Sequence, residues 1–310
     1  MLASVKEEDY TAGFTFFLCR GIINQKAVKK MTYCDLHTHS VFSDGTYTPT
    51  QLIEEAVKIG LSAIVLSDHN TVDGLPEFLS AAEGKPIEAI AGCEFSVDYK
   101  GKELHLLGLF IPQDRFAQVA ALMESFIERK HQSNVNLIRA LNEAGYLIDY
   151  ETIKNATPNG KFNRAHIAAE LTRMGYTETI QQAFKQLLKP SAGYYKEPQM
   201  FSVWEMIDFV LEIGAVPVLA HPFLNLNEEE LTEFLPEAKK RGLRGMECYY
   251  SKYDAEKTAK SLALADKFGL LPSGGSDFHG ENKPDIALGV GRGELKIPVQ
   301  WLENLRACQK

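Results

Sequence analysis

The chain has 310 residues, 45% of them hydrophobic and 24% charged, which suits a soluble globular enzyme with one large domain or a barrel plus an insertion. A formal net charge of −8 argues against broad, non-specific binding of nucleic acid, although bound cations would supply local positive charge that the count omits. Five cysteines (Cys19, Cys34, Cys93, Cys248, Cys308) without a CxxC spacing read as reduced thiols in a cytoplasmic protein, not as a disulfide framework or a zinc knuckle.

Ala12 to Ile23 is apolar but interrupted by Arg20 and too short for a membrane span, and Glu7, Glu8 and Asp9 oppose a signal peptide. Residues 1–30 therefore read as an appended extension, with Met31 as an alternative start. From there strand and helix signals alternate. Tyr33 to Leu36 is a short strand. Thr48-Pro49-Thr50-Gln51 is a capping box with Pro at N1, opening a helix to about Ile59 with Gly60 after its end. Ala63 to Leu66 has the character of a buried strand, as does Ala89 to Ala91, with Glu94 just beyond it. Leu104 to Phe110 carries His105, Ala215 to Leu219 precedes His221, and Leu270-Leu271 precedes Gly274-Gly275-Ser276-Asp277.

The middle of the chain is different. Phe116 to Tyr146, Asn163 to Met174 and Thr177 to Leu188 have helical spacing, so 113–200 is expected to be a helical insertion over the strand ends. Residues 31–112 and 201–310 are then the two parts of one α/β barrel. In parallel barrels functional groups gather at the carboxyl ends of strands, which would bring these distant residues together.

Four short clusters carry five histidines: Asp35-Leu36-His37-Thr38-His39, Asp68-His69, Ala220-His221-Pro222 and Ser276-Asp277-Phe278-His279. His37 and His39 share one face of an extended strand, since side chains alternate with period two. With Asp44, Glu94 and His105 they form a set of imidazoles and carboxylates that suits Zn, Mn or Fe. Asp35 and Asp68 are candidates to orient ligating imidazoles from one shell out. Thr38 and Ser276 read as backbone-capping groups, and Cys93 and Cys248 as small buried hydrophobes.

DLHTHS, FSDG, SDHN, GCEFS, the lone His105, AHP and GGSDFHG together resemble the PHP (polymerase and histidinol phosphatase) family of metal-dependent phosphoesterases, over residues 35 to 279. The resemblance implies a distorted (β/α)7 TIM-like barrel with two or three divalent metal ions. It implies His37, His39, Glu94 and Asp277 on a first ion, Glu94, His105 and His221 on a second, and Asp44, His69 and His279 on a third. Three such ions bring roughly +6 against about −4 from Asp44, Glu94, Asp277 and a bridging hydroxide, a balance that attracts phosphate. Hydroxide generated from metal-bound water is then the expected nucleophile.

In the insertion, Asn163 caps a helix whose first turn holds Arg164 and His166, an Arg-x-His element similar to that of small-substrate phosphatases of this family. Arg164, His166 and Lys196 are candidate substrate contacts. Tyr194 and Tyr195 read as packing aromatics and His131 as a surface residue. The resemblance is strongest to the branch acting on nucleoside 3′,5′-bisphosphates and on the 5′ ends of short RNA. The expected partner is thus a small phosphorylated substrate, a nucleotide or short RNA end, with no long duplex, no membrane and no obligate protein partner. Histidinol-phosphate hydrolysis is the alternative within the family, an isolated nuclease module another, and a catalytically silent metal scaffold the alternative of another class.

Overall fold

The computed structural model describes residues 33–156 and 162–309. The reading of residues 1–30 as an extension, the alternative start at Met31 and Cys19 lie outside them. Eight strands form one sheet in the order β7-β6-β5-β4-β3-β2-β1-β8. They are β1 (Tyr33–Asp35), β2 (Ala63–Leu66), β3 (Glu88–Tyr99), β4 (Lys102–Leu109), β5 (Val216–Leu219), β6 (Gly245–Tyr250), β7 (Leu271–Gly275) and β8 (Ile297–Pro298). Beyond its hydrogen-bonded strand, β1 meets the end of β7: Leu36 N–H donates to Gly274 O at 3.3 Å and Asp277 N–H to His37 O at 2.9 Å. The sheet is thereby a nearly closed barrel, the expected distorted α/β barrel, with β8 added antiparallel beside β1.

The distortion is local. β1–β2–β3 and β5–β6–β7 pair in parallel, but β4 runs antiparallel to both of its neighbours. Lys100 and Gly101, both at positive φ (53° and 78°), form the two-residue turn that joins β3 to β4 as a hairpin. Because of that hairpin, Glu94 lies inside a twelve-residue strand and not after its end, as the sequence suggested. For the same reason His105 near the start of β4 reaches the end of the barrel where the parallel strands finish.

Strand alternation separates two apolar layers. Cys34, Ala63, Val65, Ile90, Leu107, Leu109, Val216 and Val218 point inward, closed off by Leu302 and Leu305 of the last helix. Ile64, Leu66, Cys93, Phe95, Leu106, Leu219 and Met246 point outward, against the surrounding helices. Among these, α1 (Pro49–Lys58) begins with the predicted capping box, Thr48 accepting from Gln51 N–H, and Gly60 follows at φ 79°. α2 (Leu75–Ala82) is short and starts against the loop carrying Phe42.

Between β4 and β5 the described residues hold α3 (Phe116–Glu143), α4 (Tyr150–Asn155), α5 (Arg164–Arg173) and α6 (Ile180–Gln186). α3 is 28 residues long and joins two cores. Val119 and Met123 pack on the barrel's outer layer, while Leu137, Ile138 and Leu141 belong to a separate cluster with Ile167, Leu171, Leu188 and Tyr195. α7 (Val203–Glu212), α8 (Glu228–Arg241), α9 (Ala255–Lys267) and α10 (Val299–Arg306) complete the chain. None of α2, α4, α7, α8, α9, α10, β6 and β8 is predicted from the sequence. His131, read as a surface residue, is instead half-buried with its ring against Phe162 at 5.3 Å, because α3 turns that edge toward the helical core. No helix among the described residues is long and apolar enough to cross a membrane.

Candidate metal centre

The same alternation that builds the inner layer places the polar groups. Glu94 shares parity with Ile90 on β3, His105 with Leu107 and Leu109 on β4, so both face inward, one level above the apolar layer. Glu94 pairs with Leu107 and Ser96 with His105, which makes Glu94 and His105 diagonal neighbours on one face. Their side chains meet at 2.8 Å. His37 and His39 enter along the continuation of β1, and their ring centroids lie 5.0 Å apart. His69 continues β2 and bridges to Glu94. His221 stands two residues beyond β5 at φ 25°, and Asp277 two beyond β7 at φ 56°, left-handed conformations that store strain in side chains aimed inward.

Glu94 is the centre. Its Oε2 lies 3.0 Å from His37 Nε2 and 3.2 Å from both His39 Nε2 and His69 Nδ1. Its Oε1 lies 2.8 Å from His105 Nδ1 and 2.9 Å from His221 Nε2. Asp277 Oδ1 is 3.2 Å from His39 Nε2, and Asp44 Oδ1 is 3.2 Å from His279 Nε2 and 3.8 Å from His69 Nε2. Four overlapping groups have donor atoms within 4.8 Å of one another: His39-Asp44-His69-His279, His37-Glu94-His221, His37-His39-Asp277 and His69-Glu94-His105. All nine sequence candidates (His37, His39, Asp44, His69, Glu94, His105, His221, Asp277, His279) are thus in one place.

The donors fit divalent cations. His37 Nε2, both ring nitrogens of His39, His221 Nδ1 and Glu94 Oε2 are buried without a hydrogen-bond partner. Buried polar atoms are rarely left so, and a cation shared among imidazole nitrogens and carboxylate oxygens would satisfy them. Without a cation, the charges lean on each other. Burial alone would raise the Glu94 carboxyl, but His37, His105 and His221 hold it well below its ordinary range. Burial disfavours protonated His37, yet Glu94 and Glu247 keep its pKa well above the ordinary value. His105 is raised to about 10 against its own burial by Glu94 and Glu103, while burial, with His39 and His105 nearby, pushes His69 down to about 4.

The outer contacts differ from the sequence reading. Asp35 and Asp68 bond no imidazole. Asp35 accepts from Ser276 N–H (2.8 Å), Ser276 Oγ–H (2.5 Å) and Gly289 N–H (2.8 Å), and Asp68 accepts from Ser40 N–H (2.7 Å), Ser40 Oγ–H and Ser43 Oγ–H (both 2.6 Å). Both carboxylates sit behind the ligand loops and fix their backbone. The imidazole-orienting carboxylate is Glu247, whose Oε1 lies 3.0 Å from His37 Nδ1, while Glu103 lies at ion-pair distance, 3.6 Å, from His105 Nε2. Glu247 also accepts from His221 N–H at 2.7 Å. Tyr250 Oη–H and Lys283 Nζ–H both donate to Asp277 Oδ2, at 2.8 and 2.7 Å. None of Glu247, Tyr250 or Lys283 was read from the sequence; a lone glutamate in the strand GMECYY was the available signal.

Thr38 acts on the backbone as read, donating to Val65 O at 2.6 Å, whereas the Ser276 hydroxyl donates to the Asp35 carboxylate and not to backbone. Cys93 and Cys248 are buried, and the described cysteines form no disulfide. Among the described residues, Arg164, His166 and Lys196 bond no member of the cluster. Arg164 donates to Leu188 O (3.3 Å), and its guanidinium carbon lies 4.3 Å from the ring centre of Tyr195. His166 Nδ1 accepts from Asn163 N–H, completing the capping box of α5. Lys196 is exposed, and its carbonyl accepts from Ser133.

A nearly closed α/β barrel with six imidazoles and three carboxylates converging at one mouth is the architecture of a metal-dependent hydrolase. The chain belongs to the PHP domain family, whose model matches residues 35–215, and is a metal-dependent phosphoric ester hydrolase. It is 30% identical to a 5′-3′ exoribonuclease of Haemophilus influenzae over 79% of this chain and 89% of that one. It is 29% identical to a phosphoribosyl 1,2-cyclic phosphate 1,2-diphosphodiesterase of Eggerthella lenta (80% and 94%), and 28% identical to a 3′,5′-nucleoside bisphosphate phosphatase of Chromobacterium violaceum (82% and 91%). A solved structure from Bifidobacterium adolescentis, described as a metal-dependent phosphoesterase, superposes with a TM-score of 0.65 at 26% identity, covering 90% of this chain and 97% of that one.

Proposed function

We propose that this chain hydrolyses a phosphate ester of a nucleotide: the 3′-phosphate of a nucleoside 3′,5′-bisphosphate, successive 5′ nucleotides of short RNA, or both. The observation that carries this reading is Glu94, one buried carboxylate facing the imidazoles of His37, His39, His69, His105 and His221 at 2.8 to 3.2 Å. His37, His39, Glu94 and Asp277 would hold one divalent ion, Glu94, His105 and His221 a second, and Asp44, His69 and His279 a third, with Mn, Zn and Fe all compatible with the donor set. Such ions supply Lewis-acid charge and an acidified water when bound.

The chain's own residues do the rest. Glu247 holds the His37 ring so that Nε2 points inward, and Asp277 Oδ1 and Glu94 Oε2 converge on the same point. Asp35 and Asp68 keep the ligand loops in register, so the donors are set before substrate arrives, which is where positioning contributes most to phosphoryl transfer. The basic side of the helical segment suits a second phosphate. Burial depresses the Lys130 ammonium, and it lies in the field of both Arg164 and Glu103, the latter being the neighbour of His105. Arg164 and His166 are proposed to receive that phosphate at the start of α5, with Lys196 alongside.

Support for the nucleotide comes from the exoribonuclease and bisphosphatase relatives, which span about four-fifths of this chain. The net charge of −8 favours small or short substrates over long duplexes. Purified protein with Mn²⁺ should release phosphate from adenosine 3′,5′-bisphosphate, or mononucleotides from a short 5′-phosphorylated RNA. Turnover of histidinol phosphate or of a phosphoribosyl cyclic phosphate alone would replace the nucleotide with that substrate.

A further inference from the structure

Asp277 uses its two oxygens differently. Oδ1 faces the cluster, 3.2 Å from His39 Nε2, 3.5 Å from His279 Nδ1 and 3.7 Å from His37 Nε2. Oδ2 faces away and receives two donors, Tyr250 Oη–H and Lys283 Nζ–H. Tyr250 is buried, and burial together with Asp277 raises its pKa, so it donates a hydrogen bond without bringing a charge. Lys283 is thus the charged one of the two donors on Oδ2. Once a divalent cation sits on the Oδ1 side, the single carboxylate charge is shared between that cation and the ammonium, and Lys283 retains a surplus of positive charge.

Its placement is also fixed. Lys283 ends the short turn Gly280–Asn282, whose Lys283 N–H closes on Gly280 O at 3.1 Å. That turn is clamped to the Asp44 loop by Glu281 N–H on Thr46 Oγ1 (2.9 Å) and Asn282 Nδ2 on Asp44 O (2.8 Å). The Lys283 side chain is 27% exposed where Asp277 is 5% exposed, so the cation paired with this buried ligand is partly open to solvent. Among the described residues it is the one lysine or arginine in contact with a member of the nine-residue cluster.

We propose that Lys283 is a substrate-binding residue of this centre, spending one N–H on Asp277 and offering the others to an oxygen of the phosphate being cleaved. The proposal rests on the phosphoesterase site described above and extends it by naming a cation that the helical segment does not supply. Bound at Asp277, Lys283 belongs to the barrel and not to the helical segment, so the substrate would be held by the barrel itself at its reacting end.

The test compares full-length wild type with Lys283→Met, Lys283→Arg and Tyr250→Phe, each loaded with Mn²⁺ and assayed for metal content. Inorganic phosphate binding is read by titration calorimetry, and kcat and KM with p-nitrophenyl phosphate. Lys283→Met should keep its metal and bind phosphate about tenfold more weakly, the size of one charge-assisted hydrogen bond. Lys283→Arg should recover to within about threefold, and Tyr250→Phe should leave phosphate affinity close to wild type. Equal losses in Lys283→Met and Tyr250→Phe, or a loss that follows metal content, would show that Lys283 only positions Asp277. Unchanged phosphate affinity in Lys283→Met overturns the proposal outright. A wild-type protein that neither binds phosphate nor turns over any ester would overturn the phosphoesterase site itself, a different outcome from an active wild type with an indifferent Lys283→Met.

Discussion

His37 and Glu247, 210 residues apart in sequence, face each other at 3.0 Å with both side chains wholly out of solvent. A buried carboxylate on one ring nitrogen fixes the tautomer and directs the other nitrogen toward Glu94 and Asp277. Glu247→Gln keeps the shape but loses the charge, and also weakens the acceptor for His221 N–H. Metal affinity should fall about 10- to 100-fold, as measured by chelator competition. An unchanged affinity would reduce Glu247 to a backbone prop for His221.

Metal loading should be coupled to proton release. In the metal-free protein the pKa values of His37, His39 and His105 are all raised, that of His105 to about 10, because Glu94 and the neighbouring carboxylates favour the charged rings despite burial. A cation competes with protons for these rings, so Mn²⁺ affinity should weaken steadily from pH 8 to pH 6. Calorimetry in two buffers of different ionisation enthalpy would count the protons. Stability gives the complementary sign. His105, raised from 6.5 to about 10, contributes its full stabilisation of the metal-free fold below pH 6.5 and loses it as pH rises toward 10. The rise in Tm on adding metal should therefore grow with pH.

The nine cluster residues were legible because the chemistry lies in residue type, and because most follow an apolar strand that could be read from composition. His105 and Glu94 were legible as residues but not as geometry: the hairpin at Lys100-Gly101 that reverses β4 is what puts them on one face. Asp35 and Asp68 were placed beside imidazoles because they lie one or two residues from histidines in sequence. Asp68 is adjacent to His69, and in an extended chain adjacent side chains point to opposite faces. Asp35 is two residues from His37, and its oxygens are taken instead by Ser276 and Gly289. The true partners come from other strands. Glu247 sits in β6, which no motif announced, and Tyr250 and Lys283 meet Asp277 only after the barrel closes.

Arg164 separates two explanations of the helical segment. Its guanidinium lies 4.3 Å from the ring centre of Tyr195 and is bonded to Leu188 O, a combination of ring contact and forked donors that lysine does not reproduce. If it receives a second phosphate, Arg164→Lys should raise KM for adenosine 3′,5′-bisphosphate by about tenfold while KM for p-nitrophenyl phosphate, which has none, stays within about twofold. Parallel increases for both substrates would make Arg164 a packing residue of the helical core.

Gly275 tests the closure on which the whole site depends. β7 approaches β1 so closely there that a Cβ on Gly275 would fall 2.2 Å from His37 Cβ and 2.6 Å from His37 N. These contacts are with backbone and the first side-chain atom, which cannot swing aside, so relief requires the two strand ends to separate. Separation would break the bonds from Leu36 N–H to Gly274 O and from Asp277 N–H to His37 O, moving one histidine and one aspartate of the cluster together. Gly275→Ala should therefore cost about 1–3 kcal/mol, as overpacking does, and lower Tm by several degrees. It should also reduce bound metal at temperatures where circular dichroism still reports a folded chain. Loss of stability with full metal content would mean that the barrel relaxes elsewhere and that His37 and Asp277 keep their relation without this close approach.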